Sequence, residues 1–243
     1  MSWYNDWFNS EYYLKVYSHR DESEAERLVE LITKNVELSS GSNVLDMACG
    51  SGRHAIIFAK KGFNVTAVDL SNLLISEAKE IATESEVKIQ FVLSDILKYK
   101  SEKPYNLVLN LFTSFGYFDD DEENFKVIQK AYELTAKNGF FVLDYFNKNY
   151  LLSNLIPTTI FSENGCRITQ YRTIQGNRVR KNISVEGKDS YQEFYESVRL
   201  YTHQEMLGLL KKAGFKIIAT YGDYDGNLFN EESSPRLILF TKK

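Results

Sequence analysis

VLDMACGSGRHA, residues 44–55, reads as a buried strand that ends near an acidic residue and runs into a glycine turn opening a helix. Gly50 and Gly52 let the backbone turn tightly and approach a ligand, and the N–H groups of a helix starting near Arg53 have no intrahelical partner, so they suit an anion. A strand, glycine turn and helix in this order is where nucleotide-like cofactors sit. GSGRHA also satisfies the looser dinucleotide pattern G-x-G-x-x-G/A, with Ala55 in the third position, so the turn alone does not choose the cofactor.

Residues further along narrow the choice. Asp46 closes the first strand, where its carboxylate would repel a pyrophosphate and attract an amino-acid ammonium group. That favours S-adenosylmethionine (SAM) over NAD. The second strand, NVTAVDLS at 64–71, ends in Asp69, which can accept both ribose hydroxyls of either cofactor. A third apolar segment, KIQFVLSDIL at 88–97, ends in Asp95, placed to take an adenine amino group.

Together these segments resemble the Rossmann-like (class I) SAM-dependent methyltransferases. VLDMACGSGRHA matches the glycine-rich motif of that family, VDLS its ribose motif, SDI its adenine motif, and YNLVLNLF at 105–112 the strand after which the methyl donor is exposed. Order and spacing fit from about 38 to 146. LFTSFGYF at 111–118, AGF at 213–215 followed by YGDYDG at 221–226, and SPRLIL at 234–239 resemble more narrowly a group of small bacterial methyltransferases without an agreed substrate. The resemblance implies that Asp46, Gly50 and Gly52 hold the methionine part of SAM, Asp69 the ribose and Asp95 the adenine, with Ala48, Leu70 and Ile96 beside them. It also implies that Asn110, Leu111 and Phe112 pass next to the cofactor, and that the N-terminal Tyr17 or Arg20 contacts the methionine carboxylate.

A chain of 243 residues, 43% apolar, suits one α/β domain with a modest insertion. The expected unit is a single domain over 1–243, with an N-terminal helical cap at 1–36. A net charge of −4 argues against an extended phosphate-binding surface, so a small-molecule acceptor is expected before a protein, and a protein before nucleic acid. Cys49 and Cys166 form no metal or disulfide spacing, and the N-terminus has no basic region followed by an apolar run. A cytoplasmic protein that does not enter membranes is expected, as monomer or homodimer, with no metal.

Apolar periodicity places strands at 43–48, 64–70, 88–94, 105–112 and 140–146, alternating with helices at 53–61, 71–85 and 122–136, after an N-terminal helix at 11–36. This alternation predicts a mainly parallel seven-stranded sheet with helices on both faces, ending in a C-terminal antiparallel hairpin. Ser71 and the Asp run at 119–121 suit helix N-caps, while Gly62 and Gly139 suit helix C-terminal turns. Segments 167–174, 178–185 and 192–200 alternate apolar and polar residues across two turns. They predict a small antiparallel β insertion, about 158–201, folded as a lid over the strand ends.

Methyl transfer from a sulfonium needs alignment and exclusion of water more than proton transfer. An amine only has to arrive unprotonated, whereas a hydroxyl gains from a positioned base. His19, His54 and His203 are isolated and no base stands out, so an amine nitrogen is the expected acceptor, methylated by in-line displacement with S-adenosylhomocysteine (SAH) as product. Residues 113–117 follow the fourth strand and should line the nucleophile's approach, with Tyr117 the candidate catalytic residue. No Asn- or Asp-Pro-Pro-aromatic motif and no cysteine nucleophile stands there, against adenine-amino and pyrimidine-C5 chemistry. Trp3, Tyr4, Trp7, Phe8, Tyr12, Tyr13 and Tyr17 form an aromatic cluster that either closes the site or packs helices. Tyr224 and Asp225 either meet an amine substrate or serve the turn they sit in, and Arg199 or Arg236 either meets a substrate carboxylate or, the commoner fate of an isolated Arg, forms a structural ion pair. The competing readings are an NAD-dependent oxidoreductase and a SAM-binding module without catalysis.

Overall fold

The computed structural model describes residues 2–17 and 22–243. Two short helices, α1 (Trp3–Phe8) and α2 (Glu11–Val16), precede α3 (Glu22–Asn35). Strands and helices then alternate through β1 (Asn43–Met47), α4 (Arg53–Lys60), β2 (Asn64–Asp69), α5 (Asn72–Glu84), β3 (Gln90–Leu93), β4 (Tyr105–Asn110), α6 (Asp121–Leu134) and β5 (Thr135–Phe146). After α7 (Lys148–Ser153) come β6 (Thr158–Glu163), β7 (Cys166–Gln175), β8 (Arg178–Glu186) and β9 (Tyr191–Arg199). The chain returns through α8 (His203–Ala213) to β10 (Lys216–Tyr221) and β11 (Arg236–Lys242).

Seven strands form one sheet in the order β10-β11-β5-β4-β1-β2-β3. β1 to β5 run parallel, and β11 is antiparallel to both of its neighbours. The predicted architecture holds, terminal antiparallel pair included. Because successive side chains of a strand point to opposite faces, β5 sends Phe140 and Val142 into a core with α3 and α4, and Phe141, Leu143 and Tyr145 into a second core with α6 and α8. The chain moves outward from β1 to β3 and then crosses to β4 on the other side of β1, so a crevice opens at the carboxyl ends of β1 and β4.

The insertion is a separate antiparallel sheet, β6-β7-β8-β9, one strand larger than the periodicity suggested. Its inward face carries Ile168, Ile183 and Val185, which pack with Trp7, Tyr13 and Val16 of α1 and α2. The N-terminal helices are thus stapled to the insertion, and Ser71 at the start of α5 reaches the same unit by donating to the Phe8 carbonyl oxygen at 2.6 Å.

Two local expectations need correction. The helix expected over 11–36 is divided: α2 closes at Tyr17 (φ −115°, ψ 17°) and α3 begins at Glu22, while α1 is additional and too short for a periodic signal. At the end of α6 the left-handed residue is Asn138 (φ 62°) and not Gly139. Gly139 is small for space, since a Cβ there would lie 2.9 Å from the Ala136 oxygen and 3.0 Å from the Asn106 oxygen. Ser71 and Asp120 do cap their helices, and Thr202 with Glu205 forms a capping box on α8.

Candidate active site

A cavity of about 850 Å³ occupies the crevice and continues under the inserted sheet. Its floor is built by strand ends and the turn after β1. Ala48 (φ 58°), Gly50 (φ 56°) and Gly52 (φ 79°) take left-handed conformations that bend the chain from β1 into α4. Gly50 donates its N–H to Asp69 Oδ2 at 2.8 Å, and Ser71 donates to Asp69 Oδ1 at 2.9 Å, so the carboxylate ending β2 fixes the turn after β1. Of the residues predicted to hold a cofactor, Tyr17, Asp46, Ala48, Gly50, Asp69, Leu70, Asp95, Ile96, Asn110, Leu111 and Phe112 line this one cavity.

Gly52 does not line it. A Cβ there would stand 3.2 Å from Ala78 Cβ and 3.3 Å from Phe91 Cε1, so this glycine lets α4 approach α5 and β3. Arg20 and His19 lie outside the described residues. Tyr17 lines the cavity, but its hydroxyl donates to Glu196 and accepts from Lys181, on the wall made by the insertion.

The floor holds two buried carboxylates. Asp46 is 1% exposed, and burial, then the nearby Asp69 charge, push its carboxyl up to about 7, with Arg53 opposing. Burial also raises Asp69, against the lowering effect of its bonds from Ser71 and Gly50. Asp46 Oδ2 and Asn110 Oδ1 are both buried without a hydrogen-bond partner among the described residues. Asp46 sits opposite Leu109 in the β1–β4 register, which brings these two orphaned acceptors to neighbouring strand ends. A cationic donor is the group that would satisfy both. Asp95 stands at the exposed rim, with Oδ1 accepting from Leu97 N at 2.9 Å.

The loop after β4 is held under strain. Phe112 (φ 55°) and Thr113 (φ 63°) are consecutive left-handed residues without being glycine. Buried Asp144 on β5 locks them: its Oδ2 accepts from Phe112 N at 2.9 Å, and its backbone oxygen accepts from Thr113 N at 2.9 Å. Arg236 pairs with the same carboxylate at 2.8 Å and Tyr224 donates to it at 2.9 Å. The ring of Phe112 lies 4.1 Å from the Arg53 guanidinium. Sequence reasoning missed Asp144 altogether, because its partners lie 32, 80 and 92 positions away.

This network decides between the two readings of the C-terminal candidates, in favour of structural roles. Tyr224 and Arg236 serve Asp144, Asp225 pairs with Arg27 on the surface at 3.2 Å, and Arg199 pairs with Asp121 at 3.1 Å and Glu205 at 3.2 Å. None of the four lines the cavity.

The upper wall is aromatic and comes from three parts of the chain. Tyr117 packs on Trp3, Tyr4 and Phe8, with ring centroids 5.1, 6.3 and 5.7 Å away. The inserted sheet adds Arg172, Val179, Lys181, Glu196 and Val198. It is bolted down by Arg178, which donates to the carbonyl oxygens of Gly116, Tyr117 and Phe118 at 3.2, 3.2 and 2.9 Å. Glu196 accepts from Trp7 Nε1 at 2.8 Å and pairs with Lys181 at 2.7 Å. Burial alone would raise its carboxyl, but Lys181, Tyr17 and Trp7 hold it below the usual carboxylate range.

Comparison with known proteins agrees with this geometry. The profile of the methyltransferase domain family matches residues 38–214. A Geobacillus sp. (strain WCH70) protein assigned as a methyltransferase is 25% identical over 209 residues, covering 82% of this chain and 84% of its own. A glycine/sarcosine N-methyltransferase of Aphanothece halophytica is 25% identical over 206 residues, covering 80% and 74%. The crystal structure of a SAM-dependent methyltransferase from Clostridium acetobutylicum superimposes with a TM-score of 0.79 at 20% identity over 95% of each chain, which establishes the shared fold. With a glycine turn fixed by the carboxylate that ends β2, and two orphaned acceptors at the switch point, the chain belongs to the methyltransferase domain family and is a SAM-dependent methyltransferase.

Proposed function

We propose that the protein methylates an amine nitrogen of a small molecule held between the strand ends and the inserted sheet. The observation that carries this reading is the state of Glu196. It is the acidic group that the inserted sheet adds to the cavity, yet it is engaged by Trp7, Tyr17 and Lys181 and held in its ionised form, which makes it a weak base. A hydroxyl acceptor would need to lose its proton to such a base, whereas an amine needs only to arrive neutral. The Aphanothece relative, named for N-methylation of glycine and sarcosine, supports the same acceptor chemistry.

In this reading Asp46 and Asn110 hold the ammonium of SAM, Asp69 and Leu70 the ribose, and Asp95 and Ile96 the adenine. Ala48 and Gly50 supply the close backbone approach, and Leu111 and Phe112 flank the methionine chain. SAM supplies an electrophilic methyl on a sulfonium. The chain's own contribution is alignment and dryness: Tyr117, Trp3 and Phe8 confine the acceptor, Arg178 fixes the Gly116–Tyr117 backbone, and the inserted sheet shuts out water. Tyr117 is the residue assigned to contact the acceptor.

The test is transfer of a radiolabelled methyl group from SAM to paired panels of primary amines and matching alcohols. Labelled N-methyl products with no O-methyl product support the reading. Labelling of alcohols alone would contradict it.

A further inference from the structure

We infer that the acceptor carries an anionic group, a carboxylate or phosphate, bound by Arg172 beneath the inserted sheet. This rests on the methyltransferase reading of the same cavity and goes beyond it by naming a second recognition point. The register aligns Arg172 of β7 with Lys181 of β8, and Lys181 with Glu196 of β9. Directly opposed residues of antiparallel strands share a face, and all three line the cavity. The row therefore carries two positive charges and one negative.

Glu196 is matched to Lys181 at 2.7 Å, which leaves Arg172 as the uncompensated charge. Its guanidinium is oriented by neutral oxygens: Nη1 donates to Thr159 Oγ1 at 2.8 Å and to the Ile156 oxygen at 3.3 Å, and Nη2 donates to Gln170 Oε1. Gln170 is itself 4% exposed, so this support is built into the sheet. No carboxylate stands within ion-pair distance of Arg172 among the described residues. By contrast Arg53, the other cavity arginine, faces Glu24 at 3.7 Å.

Held in a fixed plane by neutral acceptors and turned to a partly closed cavity, a guanidinium favours a planar or tetrahedral oxyanion. Asp46 and Asp69 stand at the floor with Arg53 near them, and Asp95 at the rim, so the carboxylates gather at the strand ends while the unmatched positive charge lies under the sheet. An acceptor with an amine at one end and an acid at the other fits this polarity.

The probes are benzoate and phenyl phosphate, with benzamide as the neutral control, titrated into SAH-loaded protein while the backbone amide resonances of the inserted sheet are followed by NMR. The expected result is saturable binding of both anions with dissociation constants on the order of a millimolar and little response to benzamide. R172Q should weaken anion binding at least about tenfold, and R172K should retain part of it, with SAH affinity unchanged in both. Melting temperatures of the two variants separate loss of the site from loss of fold. If SAH binds but neither anion saturates by about 50 mM, or if R172Q binds them as well as wild type, the anion site is overturned while the methyltransferase assignment stands. If SAH itself fails to bind, both readings fall.

Discussion

Replacing Asp46 with Asn is expected to stabilise the ligand-free protein and weaken its hold on the cofactor. The unfolded chain ionises Asp46 at its ordinary 3.8, whereas the folded protein keeps the proton up to about 7. Across that interval the unfolded state sheds a proton that the native state retains, so stability falls as pH rises from 3.8 to about 7. Above pH 7 the whole cost is in place, and at 1.36 kcal/mol per pKa unit it is about 4 kcal/mol. Asn has nearly the same shape and no charge, so D46N escapes this cost. In urea unfolding, D46N should exceed wild type by about 4 kcal/mol at pH 8, and the difference should shrink by about 3 kcal/mol at pH 5. Calorimetry should show the reverse for function. Losing a buried charge-assisted bond worth about 1.5–3 kcal/mol should weaken SAH about ten- to a hundredfold. Wild-type affinity should also fall below pH 7 as Asp46 takes up its proton, and D46N should lack that dependence. A variant less stable than wild type at pH 8, with undiminished affinity for SAH, would refute the reasoning.

Three further outcomes follow from the same contacts. Asp144→Ala leaves the Arg236 guanidinium without its carboxylate and frees the strained Phe112–Thr113 backbone; a loss of about 3–5 kcal/mol in urea unfolding is expected, with SAH binding lost in the fraction still folded. Gly52→Ala meets both a left-handed φ of 79° and side chains at 3.2 and 3.3 Å, and a melting-temperature drop equivalent to about 1–3 kcal/mol is expected. Tyr117→Phe keeps the ring contacts with Trp3, Tyr4 and Phe8 and removes only the hydroxyl; SAH affinity should hold while kcat/KM for the amine acceptor falls about tenfold, or roughly 1.4 kcal/mol.

The parallel sheet was legible because its information is local. Each of the first three strands has a carboxylate at or within two residues of its carboxyl end, and the turn after β1 carries glycines at two of its left-handed positions, so order and ligand class could be read within about fifty residues. Asp46 stood out for the same reason, whereas Asn110 was placed beside the cofactor with no role until its orphaned oxygen came into view. Contacts made by tertiary register were not legible. Arg172, Lys181 and Glu196 become one row only after three strands pair, and Asp144 meets Arg236 only because β11 inserts beside β5. Arg199 and Arg236 pair with carboxylates in the fold, as isolated arginines commonly do, whereas Arg172 carried no sequence signal that set it apart. Gly52 and Gly139 were read as conformational glycines; the first also makes room for Ala78 and Phe91, and the second serves close packing alone.

The most direct measurement is a crystal structure of the protein grown with SAH. The account predicts the ammonium within hydrogen-bond reach of Asp46 Oδ2 and Asn110 Oδ1, the ribose hydroxyls on Asp69, and the adenine beside Asp95 and Ile96. SAH bound elsewhere, or in this crevice with its ammonium turned away from Asp46 and Asn110, would contradict it.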